Sequence, residues 1–196
     1  MKLLVCVALA LISLTAMGQG PENSAHLPSQ AAADALREYA GTDGAFLAAG
    51  LVKPSYQKGN ELSTLLLYPA DELVVVTITG AFVKQAFERS LAFYPQANTN
   101  FLQISGFEVV FSKDAPSGQR VIQVKCNGTA LDESKNYQIA MPSSLGRGGL
   151  GYFKIWDKAK ITKTFDKVTV ESILKGKRYS ETSPRWVASG SSPALL

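Results

Sequence analysis

Leu73-Val74-Val75-Val76-Thr77-Ile78-Thr79-Gly80-Ala81-Phe82-Val83-Lys84-Gln85-Ala86-Phe87 changes its periodicity halfway along. Its first seven residues are apolar or β-branched almost without interruption, the composition of a strand buried on both faces. From Thr79 or Gly80 the repeat lengthens. Val83, Phe87, Leu91 and Tyr94, with Phe82 and Ala86 beside them, fall on one face of a helix that Pro95 ends. A buried strand that runs straight into an amphipathic helix predicts a core shared by strands and helices.

Upstream, an alanine-rich helix is expected over about Gln30 to Tyr39, with Ser29 as N-cap and Gly41 as its stop. A short apolar strand follows at Ala45 to Ala49, then a loop from Leu51 to Asn60 and a short helix from Glu61 to Leu67. Downstream, Phe107, Val109 and Phe111 alternate, as do Arg120, Ile122 and Val124, and Asp114 to Gly118 joins the two runs as a hairpin. Asn127-Gly128 marks a tight turn. Tyr137 to Met141 is the next strand, and Val168 to Lys175 the last short helix. Helices come early and antiparallel strands late. The expectation is one mixed α/β (α+β) domain, a mixed sheet packed with helices.

The ends read differently. Met1-Lys2, the apolar run Leu3 to Leu14 and the small residues of Ala16-Met17-Gly18 make residues 1–18 a secretory signal peptide with cleavage near Gly18. Residues 19–28 read as an extended leader, 29–179 as the domain, and 180–196, rich in Ser and Pro, as a flexible tail. Export leaves Cys126 as the one cysteine, so no internal disulfide forms, which suits a bacterial periplasm or exterior. The formal charge of +4 becomes about +3 once Lys2 is removed, and the basic residues are scattered. Such a surplus permits an anionic ligand without suggesting a nucleic-acid protein. No segment is expected to span a membrane.

Catalytic chemistry is hard to find. The chain has one histidine, His26, which reads as a solvated residue at the edge of the leader. No His or Cys pair has ligand spacing, a Ser-His-Asp arrangement would have to use His26, and neither a Gly-x-Ser-x-Gly elbow nor a phosphate loop of the Gly-Lys-Ser/Thr type occurs. Asp132-Glu133 reads as solvated charge and Cys126 as a half-buried structural thiol. No catalytic residue, metal ligand or cofactor is therefore assigned. What remains is Gly146-Arg147-Gly148-Gly149-Leu150-Gly151-Tyr152-Phe153, where three glycines in four residues precede two aromatic rings. Such a loop lets backbone approach a ligand, although glycine-rich turns also serve simply to turn a chain.

The order of motifs resembles the C-terminal, substrate-binding domain of the 5′-nucleotidase family, over roughly Ser29 to Trp156. Four stretches carry the resemblance: Ala32-Ala33-Asp34-Ala35; Val76-Thr77-Ile78-Thr79-Gly80; Phe101-Leu102-Gln103-Ile104-Ser105-Gly106; and Tyr137-Gln138-Ile139-Ala140-Met141 followed by Gly148-Gly149-Leu150-Gly151-Tyr152. In that family two rings sandwich the nucleotide base. The resemblance places one ring at Tyr152 and the other at Tyr68, where Tyr68-Pro69 reverses the family's Pro-Phe. It places the ribose and phosphate contacts at Lys53, where the family has arginine, and at Asp157, with Gly106, Gly148 and Gly149 as backbone positions. It also shows departures: Ala48 for an asparagine, Leu150 for the loop aspartate, and Arg147 for an asparagine before the Gly-Gly pair. The family's catalysis belongs to an N-terminal two-metal domain, for which about ten residues stand between the signal peptide and the first helix. The resemblance implies a nucleotide or nucleoside ligand and a separate metallophosphoesterase chain as partner, with no activity expected of this chain alone. The other reading is a binding or interaction module whose nucleotide site has decayed.

Overall fold

The computed structural model describes residues 20–53, 55–56, 59–179 and 183–189. The expected signal peptide and residues 190–196 of the expected tail lie outside them. Helix α1 (Leu27–Ala40) leads into β1 (Gly44–Ala48). The opening stretch of sequence forms β2 (Glu72–Thr79) and α2 (Gly80–Ser90), with the change of period where the strand meets the helix. Strands β3 (Leu102–Ser105), β4 (Phe107–Phe111), β5 (Val121–Cys126), β6 (Thr129–Ala130) and β7 (Asn136–Pro142) follow, then the short helix α3 (Ser143–Gly146), β8 (Ile161–Thr169), α4 (Val170–Leu174) and β9 (Trp186–Ala188).

The strands form two sheets rather than one. The larger has the order β3-β1-β7-β2-β8 and the smaller β6-β5-β4-β9. β1 runs parallel to β7 and β9 parallel to β4, and the other pairs are antiparallel. Both faces of β2 are covered, as its composition predicts: Leu73 to Val76 and Ile78 are all buried. The smaller sheet alternates instead, with Phe107, Val109 and Phe111 inward and Glu108 outward.

Phe87 of α2 ties the two sheets together. Its ring meets Phe46 of β1 at 5.7 Å, Phe107 of β4 at 5.6 Å and Trp186 of β9 at 5.5 Å, each edge to face. Such edge-to-face pairs add stabilisation beyond the area they bury.

The sequence expectations need correction at both ends and in between. Residues 20–26 are not an extended leader. They fold into a turn whose carbonyls at Pro21 and Ser24 accept from the buried Gln103 side chain, each at 2.8 Å. α1 starts at Leu27 with His26, not Ser29, at the N-cap, because proline is tolerated in the first turn. Gly41 does end it, in the left-handed conformation. The segment 61–67 makes only a 3₁₀ turn, Leu62–Leu65. The tail reading fails at 183–189. Trp186 is 6% exposed, its indole N–H donates to Leu102 O at 2.8 Å, and β9 pairs beside β4. β8 is a further strand, absent from the sequence expectations. Its Thr- and Lys-rich sequence belongs to an edge strand with much of its surface in water.

Candidate functional site

Three loops leave the same edge of the larger sheet. β1 and β7 are parallel and end there, at Ala48 and Pro142, and antiparallel β2 begins there at Glu72. The loops are therefore 49–53, 66–71 and 143–156. In α/β sheets, ligands commonly bind beyond the carboxyl ends of parallel strands.

Asp71 fastens two of these loops. Its carboxylate accepts from Ser143 Oγ at 2.6 Å, from Ser144 N at 3.1 Å and from the Ser144 hydroxyl. The first loop reaches the third through Gly50, where an added Cβ would lie 3.1 Å from the Leu150 side chain. Lys53 is exposed at the end of the first loop, its backbone N–H held by Leu65 O at 2.7 Å. Tyr68 stands 60% exposed on the second.

The glycine loop is a tight, partly left-handed coil. Gly148 has φ +87°, and a Cβ there would come within 2.7 Å of the Phe153 Cα, so the chain folds back on itself at this point. At Gly149 a Cβ would meet the Ser144 carbonyl at 2.5 Å. Both glycines are thus demanded by the packing of the loop itself. Leu150 is left-handed as well (φ 52°), a conformation that costs a non-glycine residue about 1–2 kcal/mol.

The aromatic-platform reading of Tyr152 is corrected by its surroundings. The ring is fully buried and stacked on Trp156, with centroids 4.5 Å apart and planes 11° from parallel. The Arg89 guanidinium lies over the ring, 5.5 Å from its centroid. The hydroxyl donates to Asn100 O at 2.6 Å and lies 3.1 Å from Ser90 Oγ. Burial pushes the Tyr152 phenol well above its ordinary value, against the opposing Ser90 hydrogen bond and Arg89 charge. No face is left for a base in this conformation. Its neighbour Phe153 is 63% exposed.

Gly106 does not join the site. It lies in the β3–β4 turn with φ +78°, where an added Cβ would sit 2.2 Å from Asp43 O, at the opposite end of β1. Asp157 is exposed but engaged: its carboxylate accepts from Ala159 N at 2.8 Å and caps the following turn.

Arg89, Asp71 and Trp156 are structural members of the site that the sequence expectations omit. Arg89 Nη2 donates to Leu150 O at 3.2 Å, while its Nε is buried without a partner among the described residues. Trp156 donates to Leu145 O at 2.8 Å. A lone arginine within α2 and an aspartate ahead of β2 carry no local pattern that would have exposed them. Among the described residues no group of three or more His, Cys, Asp or Glu is placed to hold a metal ion. No helix there is long and apolar enough to cross a membrane.

Comparison with known proteins bears on this site. The family model described as 5′-nucleotidase, C-terminal domain, matches residues 19–157. The chain is 30% identical over 154 residues to a 5′-nucleotidase-related protein of Glossina morsitans morsitans, covering 72% of this chain and 28% of that protein. It is 33% identical over 92 residues to the human 5′-nucleotidase, covering 43% of this chain and 16% of that protein. The crystal structure of a 5′-nucleotidase precursor from Thermus thermophilus superimposes with a TM-score of 0.74 at 20% identity, covering 87% of this chain and 36% of that one. That likeness concerns the fold. The chain thus spans well under half the length of each of these proteins.

Proposed function

The chain belongs to the 5′-nucleotidase C-terminal domain family, and on that premise we propose that it recognises a nucleotide or nucleoside on behalf of a separate metallophosphoesterase chain. The two together form a split nucleotidase of nucleotide catabolism, exported to the periplasm or cell exterior. The observation that carries the reading is the gathering of loops 49–53, 66–71 and 143–156 at one sheet edge within the span that the family model matches.

The division of labour follows from the side chains. Hydrolysis of a phosphomonoester by a bound metal belongs to the partner. This chain holds and orients the substrate, which lowers the barrier through proximity rather than bond-making. Tyr68 offers an accessible ring and Lys53 an accessible cation for this task. Lys53 supplies charge without the two-pronged geometry of an arginine. The second carboxylate oxygen of Asp157 is available to a ribose hydroxyl.

A second reading, an interaction module with a decayed nucleotide site, is favoured by the enclosed Tyr152 and by Leu150 where the family carries aspartate. Phosphate release from AMP separates the two. The pure chain with added divalent metal should release none. Adding it to a lone metallophosphoesterase from the same source should raise that enzyme's kcat/KM for AMP. Hydrolysis by this chain alone would overturn the split arrangement, and no stimulation together with no AMP binding would leave the module reading.

A further inference from the structure

β8 closes one end of the larger sheet, and both its edge and its charge are open. Its nine residues pair with β2 on one side, and among the described residues no strand lies on the other. A strand so placed carries an outer row of backbone N–H and C=O groups that can pair with another chain. Charge gathers at the same place. Scattered through the chain as a whole, the basic residues are dense over residues 154–178, where eight stand against three acidic ones. That surplus exceeds the +4 of the entire chain, which leaves the rest of the protein without a basic excess. Lys158, Lys160, Lys163 and Lys167 follow β8 and the turn before it, and all four are exposed. None of them forms an ion pair with a carboxylate among the described residues. The Lys163 ammonium lies 4.1 Å from the centre of the Phe165 ring, which packs on Tyr39 at 5.5 Å. One cation is thereby held in place near the middle of the strand.

We propose that the outer edge of β8 receives an extended, acidic segment of a partner protein, added to the larger sheet as a further strand. In strand addition the backbone hydrogen bonds supply affinity, and the alternate side chains of the added strand supply specificity. Here the sign of the charge selects. A second copy of β8 would set lysine against lysine, and lysine on an edge is a device by which sheets resist pairing with themselves. A strand with glutamate or aspartate at alternate positions meets the opposite sign, and opposite charges across a ladder stabilise it. The pairing with β2 slips on both sides of Lys163-Thr164, and Lys167 is left-handed (φ 62°). The added strand is therefore short, about five residues or roughly 17 Å of chain against residues 161–165. The edge lies outside loops 49–53, 66–71 and 143–156, and its assignment is independent of the nucleotide reading.

NMR titration of the full chain with blocked peptides tests the assignment. The peptide Ac-Thr-Glu-Val-Glu-Val-Glu-Thr-NH2 should shift the amides of β8 saturably, slow their hydrogen exchange and bind more weakly as salt rises. Replacing both valines by proline keeps the charge but removes the ladder donors, and should abolish the slowed exchange. Replacing the glutamates by lysine should abolish binding. Lys163→Glu should weaken the acidic peptide by about fivefold. Lys113→Glu, the same change of charge at an exposed position in the β4–β5 hairpin, should leave it little changed. Equal binding and equal protection with the proline peptide overturn strand addition in favour of a diffuse cationic surface. Unmoved β8 amides at millimolar acidic peptide overturn the proposal outright. Loss of those signals on phosphatidylglycerol vesicles, without any response to the peptide, would assign the edge to a membrane surface instead.

Discussion

Tyr152 and Phe153 are adjacent aromatic residues with opposite fates. One is sealed in the core and the other stands in solvent, and their substitution should differ sharply in its cost to stability. Tyr152→Ala removes a fully buried ring and should cost about 3–5 kcal/mol of unfolding free energy. Phe153→Ala should shift stability by no more than about 0.5 kcal/mol, as a surface change does. Urea unfolding of the two variants measures both. The sequence could not say which ring went inside, because a Tyr-Phe doublet at the end of a coil has no periodicity to read. His26 is a second case of environment overriding type. It reads as solvated, yet it is half-buried, with Nδ1 2.7 Å from Ser29 Oγ. Burial lowers its pKa below the usual 6.5. The unfolded chain therefore takes up this proton first as pH falls. The contribution is complete above about pH 6.5 and is lost as pH falls toward the folded-state value. Unfolding midpoints should accordingly drop below pH 6.5 in wild type, and His26→Gln should flatten that part of the profile.

Elements were legible where one period ran long enough. β2 and α2 were plain because seven buried-type residues precede three helical turns of apolar spacing, and Gly41 marked the stop of α1 because the chain turns left-handed there. β8 and β9 were not legible, for two different reasons. β8 borders water along the sheet edge and so carries lysine and threonine instead of an apolar stripe. β9 is three residues long, and its one strong signal, Trp186, stands alone in a Ser- and Pro-rich stretch. Yet Trp186 packs against Phe87, Phe101 and Phe111. Trp186→Ala should therefore destabilise the whole domain by about 3–5 kcal/mol in thermal or urea unfolding. The Asp71 fastening makes a separate prediction for α3 and the glycine loop. Asp71→Ala should speed hydrogen exchange at the amides of Arg147 and Gly148, which are bonded to Ser143 O and Leu145 O, with little effect in β4 and β5.

At the scale of the whole molecule, family and fold agree. The motifs that suggested a nucleotidase C-terminal domain are spread through the fold: Ala32–Ala35 lies in α1, Val76–Gly80 spans the junction of β2 and α2, Phe101–Gly106 runs along β3 into the turn at the opposite end of β1, and Tyr137–Met141 leads along β7 to the glycine loop of the candidate site. The two-sheet core around Phe87 is what holds the site's edge of the larger sheet in place. Under the function proposed above, the loops, the Tyr68 ring and the Lys53 cation gathered there hold a substrate for a separate catalyst. Calorimetric titration of AMP into the purified chain tests that claim most directly. The account predicts saturable one-to-one binding that weakens with added salt. The absence of any binding heat at millimolar AMP, with and without the metallophosphoesterase chain, would contradict it.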